Sequence, residues 1–241
     1  MTEPEVAVSA DKEAVAYAAG ERLLATLAEV LADKDEAHLG LTGGSLGSAI
    51  WAAVAASPAK DSVDWSRVRV WWGDERYLPA GDADRNDVQN DKAGLASLGL
   101  DPAKVHRVEG PDRSADAEAS AAAYATTVRD HGQGAFDVML LGVGPDGHVA
   151  SLFPRHPAQL TSDAITVAVH DSPKPPPDRV SLTFEALNRS DRVWFLVSGA
   201  DKAEAVGRGV AGAPPEQSSA AQVRGSDETI WFVDEAAAAD L

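Results

Sequence analysis

Six short runs rich in β-branched and aromatic residues recur along the chain, each separated from the next by a stretch long enough to hold a helix. The runs are HLGLT (38–42), VRVWW (68–72), FDVMLLGV (136–143), AITVAV (164–169), RVWFLVS (192–198) and TIWFV (229–233). Helix-like segments lie at 11–32, 45–56, 86–97, 114–130, 181–188 and 201–207; the first places Val15, Ala19, Leu23 and Leu27 at helical spacing behind Ser9 or Asp11 as a cap. Such alternation predicts parallel strands joined by right-handed crossovers. The near-continuous apolarity of VMLLGV and VWFLV suits strands covered on both faces. The expected fold is α/β: a Rossmann-like, mostly parallel sheet flanked by helices on both faces, with a small α/β subregion. Neither DSPKPPPDR (171–179) nor GRGVAGAPPEQSS (207–219) is long enough for a linker, so residues 1–241 are expected to form one domain.

Charge and composition narrow the chemistry. With 21 basic and 38 acidic residues the formal charge is -17, a field that repels polynucleotides and anionic membranes. No nucleic acid and no membrane is expected as a partner. A small anionic ligand would need its own pocket of cations and backbone N–H groups. The absence of cysteine removes disulfides, thiolate nucleophiles and cysteine-ligated metals. None of the six histidines has the spacing of a helical zinc site, so no metal and no cofactor is expected. No run approaches the roughly 18 to 20 apolar residues of a membrane span, and MTEPEVAVSADKEA lacks a basic and then apolar leader. A cytoplasmic protein, monomeric or weakly homodimeric, is the expectation.

Four loops that follow predicted strands carry the candidate chemistry. In LTGGS, Gly43 and Gly44 permit close backbone approach, and Ser45 adds a hydroxyl at a helix N-terminus, an anion cradle. A tight turn with a capping serine would read the same. The run WWGDER delivers Asp74, Glu75 and Arg76 at a strand end, either as functional groups or as a solvated ion pair. The segment GVGPDGHVASLFP (142–154) holds Asp146 and His148 two residues apart in a glycine-rich turn, the pairing that fixes an imidazole tautomer and supports a general base. Lys202, in the first helical turn after SGA, sits where a cation is disfavoured unless an anion lies beside it. Arg179 follows a proline-rich loop as a second candidate anion ligand. In open α/β sheets ligands bind beyond the carboxyl ends of the strands, so the four loops are expected to converge there.

From LTGGS through WWGDER, GPDGHVASLFP, DRVSLT and SGADKA to IWFVD, the chain resembles the 6-phosphogluconolactonases, relatives of the glucosamine-6-phosphate deaminases and isomerases. The resemblance implies the NagB/RpiA-like version of the α/β fold. It implies hydrolysis of 6-phosphoglucono-δ-lactone to 6-phosphogluconate, a step of the oxidative pentose phosphate pathway, with this phosphorylated sugar lactone as the small-molecule partner. Carried onto this chain, Gly43, Gly44 and Ser45 match the phosphate loop, Arg179 and Lys202 its partners, and His148 the base. Asp146, Glu75 or Asp74 would orient the imidazole; backbone N–H groups or Arg76 would meet the oxyanion. The pattern departs at two places: family members often have a proline after GGS, and a Ser-Asn pair where this chain has Arg85 and Asn86. The deaminases carry an acid where this chain has Phe153, which favours lactone hydrolysis. Deaminase or isomerase activity and non-catalytic sugar-phosphate sensing stand as the alternatives.

Overall fold

The computed structural model describes residues 3–241. The strands are β1 (Glu5–Ser9), β2 (Ala37–Leu41), β3 (Val68–Trp72), β4 (Asp74–Arg76), β5 (Val105–His106), β6 (Phe136–Gly142), β7 (Thr166–Val169), β8 (Arg179–Leu182), β9 (Ser190–Val197) and β10 (Glu228–Asp234). The helices are α1 (Lys12–Asp33), α2 (Gly44–Ala56), α3 (Asn86–Ala93), α4 (Ala117–His131), α5 (Phe184–Leu187) and α6 (Ala203–Val210). Seven strands form one sheet in the order β1-β10-β9-β6-β2-β3-β5, and every pairing in it is parallel. From β2 the chain steps outward to β3 and β5, then returns to β6 on β2's other side. That reversal opens a crevice between the ends of β2 and β6.

The pleat distributes side chains to two cores. From β9, Trp194 and Leu196 face one core, with Ile230 and Phe232 of β10 and the buried stripes of α1 and α2. Val193, Phe195 and Val197, with Trp231 and Val233, face the other, which α4 and α6 cover. The six tryptophans are nearly all spent inside: Trp51, Trp71, Trp72, Trp194 and Trp231 are essentially inaccessible. Asp11 caps α1 by accepting from the Ala14 N–H at 2.8 Å, and Asp116 caps α4 through Ala119 at 2.8 Å.

Three elements differ from the sequence expectation. The run 164–169 is not in the parallel layer; as β7 it joins β8 and β4 in a separate antiparallel sheet. The segment 181–188 is a helix only from Phe184, because Val180 and Leu182 of β8 are drawn into the second core and Thr183 starts a new cap. The predicted helix 86–97 stops at Ala93, where Gly94 takes φ 141°, a conformation that L residues avoid. The sequence reading assigned no strand to β1, a five-residue edge with one neighbour. No helix among the described residues is long and apolar enough to cross a membrane.

Candidate active site

The site gathers where β2, β3, β6 and β9 end. After β2, Gly43 caps α2 without a side-chain hydrogen bond to the first turn, so the leading N–H groups of that helix have no side-chain partner at the cap. A Cβ on Gly43 would run into the Asn86 carboxamide, which packs directly over it. Gly44 and Ser45 are exposed at the helix start. Thr42 ties this loop to the next by accepting from the Gly142 N–H at 3.2 Å.

After β6 the chain closes a compact turn: the Gly147 N–H donates to Gly144 O at 2.9 Å, and the Gly144 N–H to His148 O at 3.0 Å. The imidazole of His148 lies against Gly144 so closely that no Cβ fits there. Its Nδ1 is 2.5 Å from Asp146 Oδ1. Burial would raise the Asp146 carboxyl, but the hydrogen bond from His148 and its charge outweigh it and hold the group at about 2. The acid is therefore an acceptor, Nδ1 carries the hydrogen, and Nε2 is left as the basic nitrogen. Burial also pushes the His148 imidazole below its ordinary value, against the pull of Asp146. Phe153, itself buried, supplies part of that dry wall, its ring centroid 4.4 Å from that of His148.

Period-two alternation in β4 divides the acidic-basic loop. Asp74 and Arg76 line the crevice. The Asp74 carboxylate accepts from Ser151 Oγ at 2.6 Å and stands 4.0 Å from Arg179 Nη1. Arg76 donates to Asn86 Oδ1 and to Asp84 O. Glu75 points the opposite way. Its oxygens accept from the N–H groups of Arg76 at 2.8 Å, Asn86 at 2.8 Å and Asp87 at 2.9 Å. Glu75 is thus separated from His148, and of the three orienting acids considered from sequence, Asp146, Glu75 and Asp74, only Asp146 hydrogen-bonds to the imidazole. Burial drives the Glu75 carboxyl up to about 7 despite Arg85, with Asp87 adding to the rise.

Arg85 answers the question raised by its departure from the family pattern. It is buried, forks onto Asp87 with two 3.0 Å bonds, and donates to Leu78 O and Val108 O at 2.9 and 2.7 Å. It therefore pins the start of α3 from beneath, while its neighbour Asn86 faces the crevice.

The crevice has two adjoining lobes. One, about 140 Å³, is bounded by Gly43 to Gly47, Ser198 and Lys202. The other, about 160 Å³, is bounded by His148, Asp74, Arg76, Asn86, Lys174 and Arg179, and Lys202 borders both. Arg179 is held by its own loop, donating to Lys174 O at 3.0 Å and Pro175 O at 3.2 Å. Asn86 and Lys174 were not singled out from the sequence as site residues. For Asn86 the Asn-bearing loop of the family pattern was a usable signal; for Lys174 the only hint was one cation within a proline-rich loop. A larger cavity of about 460 Å³ lies at the opposite end of β6, beside Phe136 and the end of α4, and shares none of these residues.

Comparison with known proteins identifies the family and the fold. The family described as glucosamine-6-phosphate isomerases/6-phosphogluconolactonase matches residues 10–231. A 6-phosphogluconolactonase of Streptomyces coelicolor is 46% identical over 247 aligned positions, covering 99% of this chain and 95% of its own. One from Mycobacterium tuberculosis is 41% identical, with 96% of each chain covered. The crystal structure of 6-phosphogluconolactonase from Thermotoga maritima superposes with a TM-score of 0.83 at 26% identity, over 96% of this chain and 100% of that one. A monomeric glucosamine-6-phosphate deaminase, 22% identical, shares the fold at a TM-score of 0.83 over 98% of this chain and 100% of its own. With the family matched over most of its length and such identity to relatives across nearly all of it, the chain belongs to the glucosamine-6-phosphate isomerase/6-phosphogluconolactonase family.

Proposed function

We propose that this chain is a 6-phosphogluconolactonase, hydrolysing 6-phospho-D-glucono-1,5-lactone to 6-phospho-D-gluconate. The observation that carries the reading is the Asp146–His148 pair opening into a lobe that adjoins a cationic helix N-terminus. The names of the full-length relatives support the same activity. So does Phe153, which puts an apolar ring beside His148 where ring opening and proton shuttling in a deaminase would call for an acid.

The chemistry follows from the two lobes. The phosphate sits at the start of α2, where backbone N–H groups and the positive end of the helix meet Lys202. Arg179 and Arg76 extend the cationic wall toward the ring. Anchoring the phosphate leaves the lactone carbonyl to the His148 lobe, which supplies orientation before any bond changes. Neutral His148 takes a proton on Nε2 from a water as its oxygen adds to the carbonyl carbon. Asp146 holds the imidazole and stabilises the imidazolium. The tetrahedral intermediate collapses by breaking the bond to the ring oxygen, which receives the proton from His148, and the acid product leaves.

Two outcomes test these assignments. Lys202→Ala is expected to raise KM about 10- to 100-fold with little change in kcat, the loss of one charge-assisted contact to phosphate; an unchanged KM contradicts the role. Activity requires the neutral imidazole, so it is lost as pH falls through the His148 pKa. Because burial lowers that pKa, the acidic limb of kcat/KM is expected below the ordinary histidine value of about 6.5. A limb at or above that value removes the assignment. The activity itself is checked by generating the lactone in situ and following proton release over the spontaneous background. Ammonia release from glucosamine 6-phosphate would instead identify a deaminase.

A further inference from the structure

Lys174 is the one cation of the His148 lobe whose charged group has no hydrogen-bond or ion-pair partner among the described residues. The other cations there are engaged. Arg179 donates to three carbonyls of its own loop and stands 4.0 Å from Asp74. Arg76 donates to Asn86 and Asp84. Lys202 is 3.5 Å from Asp201 and borders the α2 lobe. Lys174 borders only the lobe with His148.

Its backbone is firmly held. Ser172 Oγ donates to Lys174 O at 2.9 Å, and the Lys174 N–H returns to Ser172 Oγ at 3.3 Å. The same loop is clasped at its base by His170, whose Nδ1 and Nε2 lie 2.7 Å from Asp178 and 2.7 Å from Glu118. This loop thus presents a half-buried ammonium to the lobe that holds the Asp146–His148 pair.

On the reading that the lactone carbonyl lies in this lobe, the geometry points to Lys174 as the electrophile that receives the oxyanion of the tetrahedral intermediate. It is a catalytic residue of this reaction, distinct from the phosphate ligands. A free ammonium with three donors suits charge that develops only in the transition state, because no existing contact has to break first. The surroundings agree: burial lowers the Lys174 pKa, Lys202 and Arg179 add to the lowering, and Asp146 and Asp201 oppose it. A new negative charge on the substrate relieves that stress. Lys174 in turn contributes to the low pKa of His148.

The chain has no cysteine, so Lys174→Cys introduces a single thiol. Alkylation of that thiol with 2-bromoethylamine forms a carbon–sulfur bond, expels bromide and regenerates an ammonium of nearly lysine length. Lys174→Met and unmodified Lys174→Cys are expected to lower kcat about 100- to 1,000-fold with KM within about threefold, and aminoethylation is expected to restore at least tenfold. The acidic limb of the Lys174→Met profile is expected to move up in pH, since a cation beside His148 has gone. A rise in KM with kcat retained, an unchanged kcat, or no recovery on aminoethylation overturns the assignment while leaving the lactonase reading intact. A wild-type chain that does not accelerate lactone hydrolysis overturns both.

Discussion

His148→Ala lowers kcat by about 100- to 10,000-fold, the usual worth of a positioned general base, and leaves KM within about threefold. The expectation rests on the proposed division of labour, with phosphate at α2 and Lys202 and the imidazole at the carbonyl, drawn from the residues that line the two adjoining lobes. Proton release from lactone generated in situ, measured against the uncatalysed rate, reads the effect directly. Turnover near that of the wild type would eliminate His148 as the base. Alanine at this position also opens the wall beside Phe153, so circular dichroism and a melting curve should accompany the kinetics to separate chemistry from folding.

Arg85→Met removes the cation from a buried cluster and costs about 3 to 5 kcal/mol of stability, because two carboxylates are then left without it. Glu75 and Asp87 both lie in that cluster, at 3.8 Å and 3.0 Å from the guanidinium. Arg107, 3.4 Å from Asp87, is more exposed and replaces only part of the charge. The loss should extend to activity, since Glu75 holds the backbone of Arg76 and Asn86. Urea unfolding is the measurement; a midpoint shift equivalent to less than about 1 kcal/mol would show that the cluster does not support the loop.

Much of the architecture was legible because parallel strands covered on both faces leave an unmistakable pattern: VMLLGV and VWFLV admit few other readings. The contact between Asp146 and His148 was legible for a local reason, as two residues in one glycine-rich turn have little choice but to meet. What escaped was set by tertiary placement. Nothing in spacing links Lys174 to His148; the antiparallel β7–β8 pair carries it there. Glu75 was grouped with Asp74 because they are adjacent, yet adjacency in an extended strand sends neighbours to opposite sides. The three-residue β4 and two-residue β5 are too short to leave a periodic signature, and β1 is an edge with a single partner.

The pairing of β1 with β10 has a consequence in time. Ribosomal synthesis makes Glu5–Ser9 before every other described strand of the sheet, but its seat is Glu228–Asp234, which is made after all of them. Throughout elongation the nascent chain must therefore carry one unattached strand and, once β9 is out, one open flank on the growing sheet, a template for unwanted pairing. The strands that bear the helix-start cradle and the histidine turn, β2 and β6, lie next to each other in the middle and can associate well before that flank is sealed. In birth order, then, the two strands at the middle of the cleft can pair long before the sheet's last strand is made.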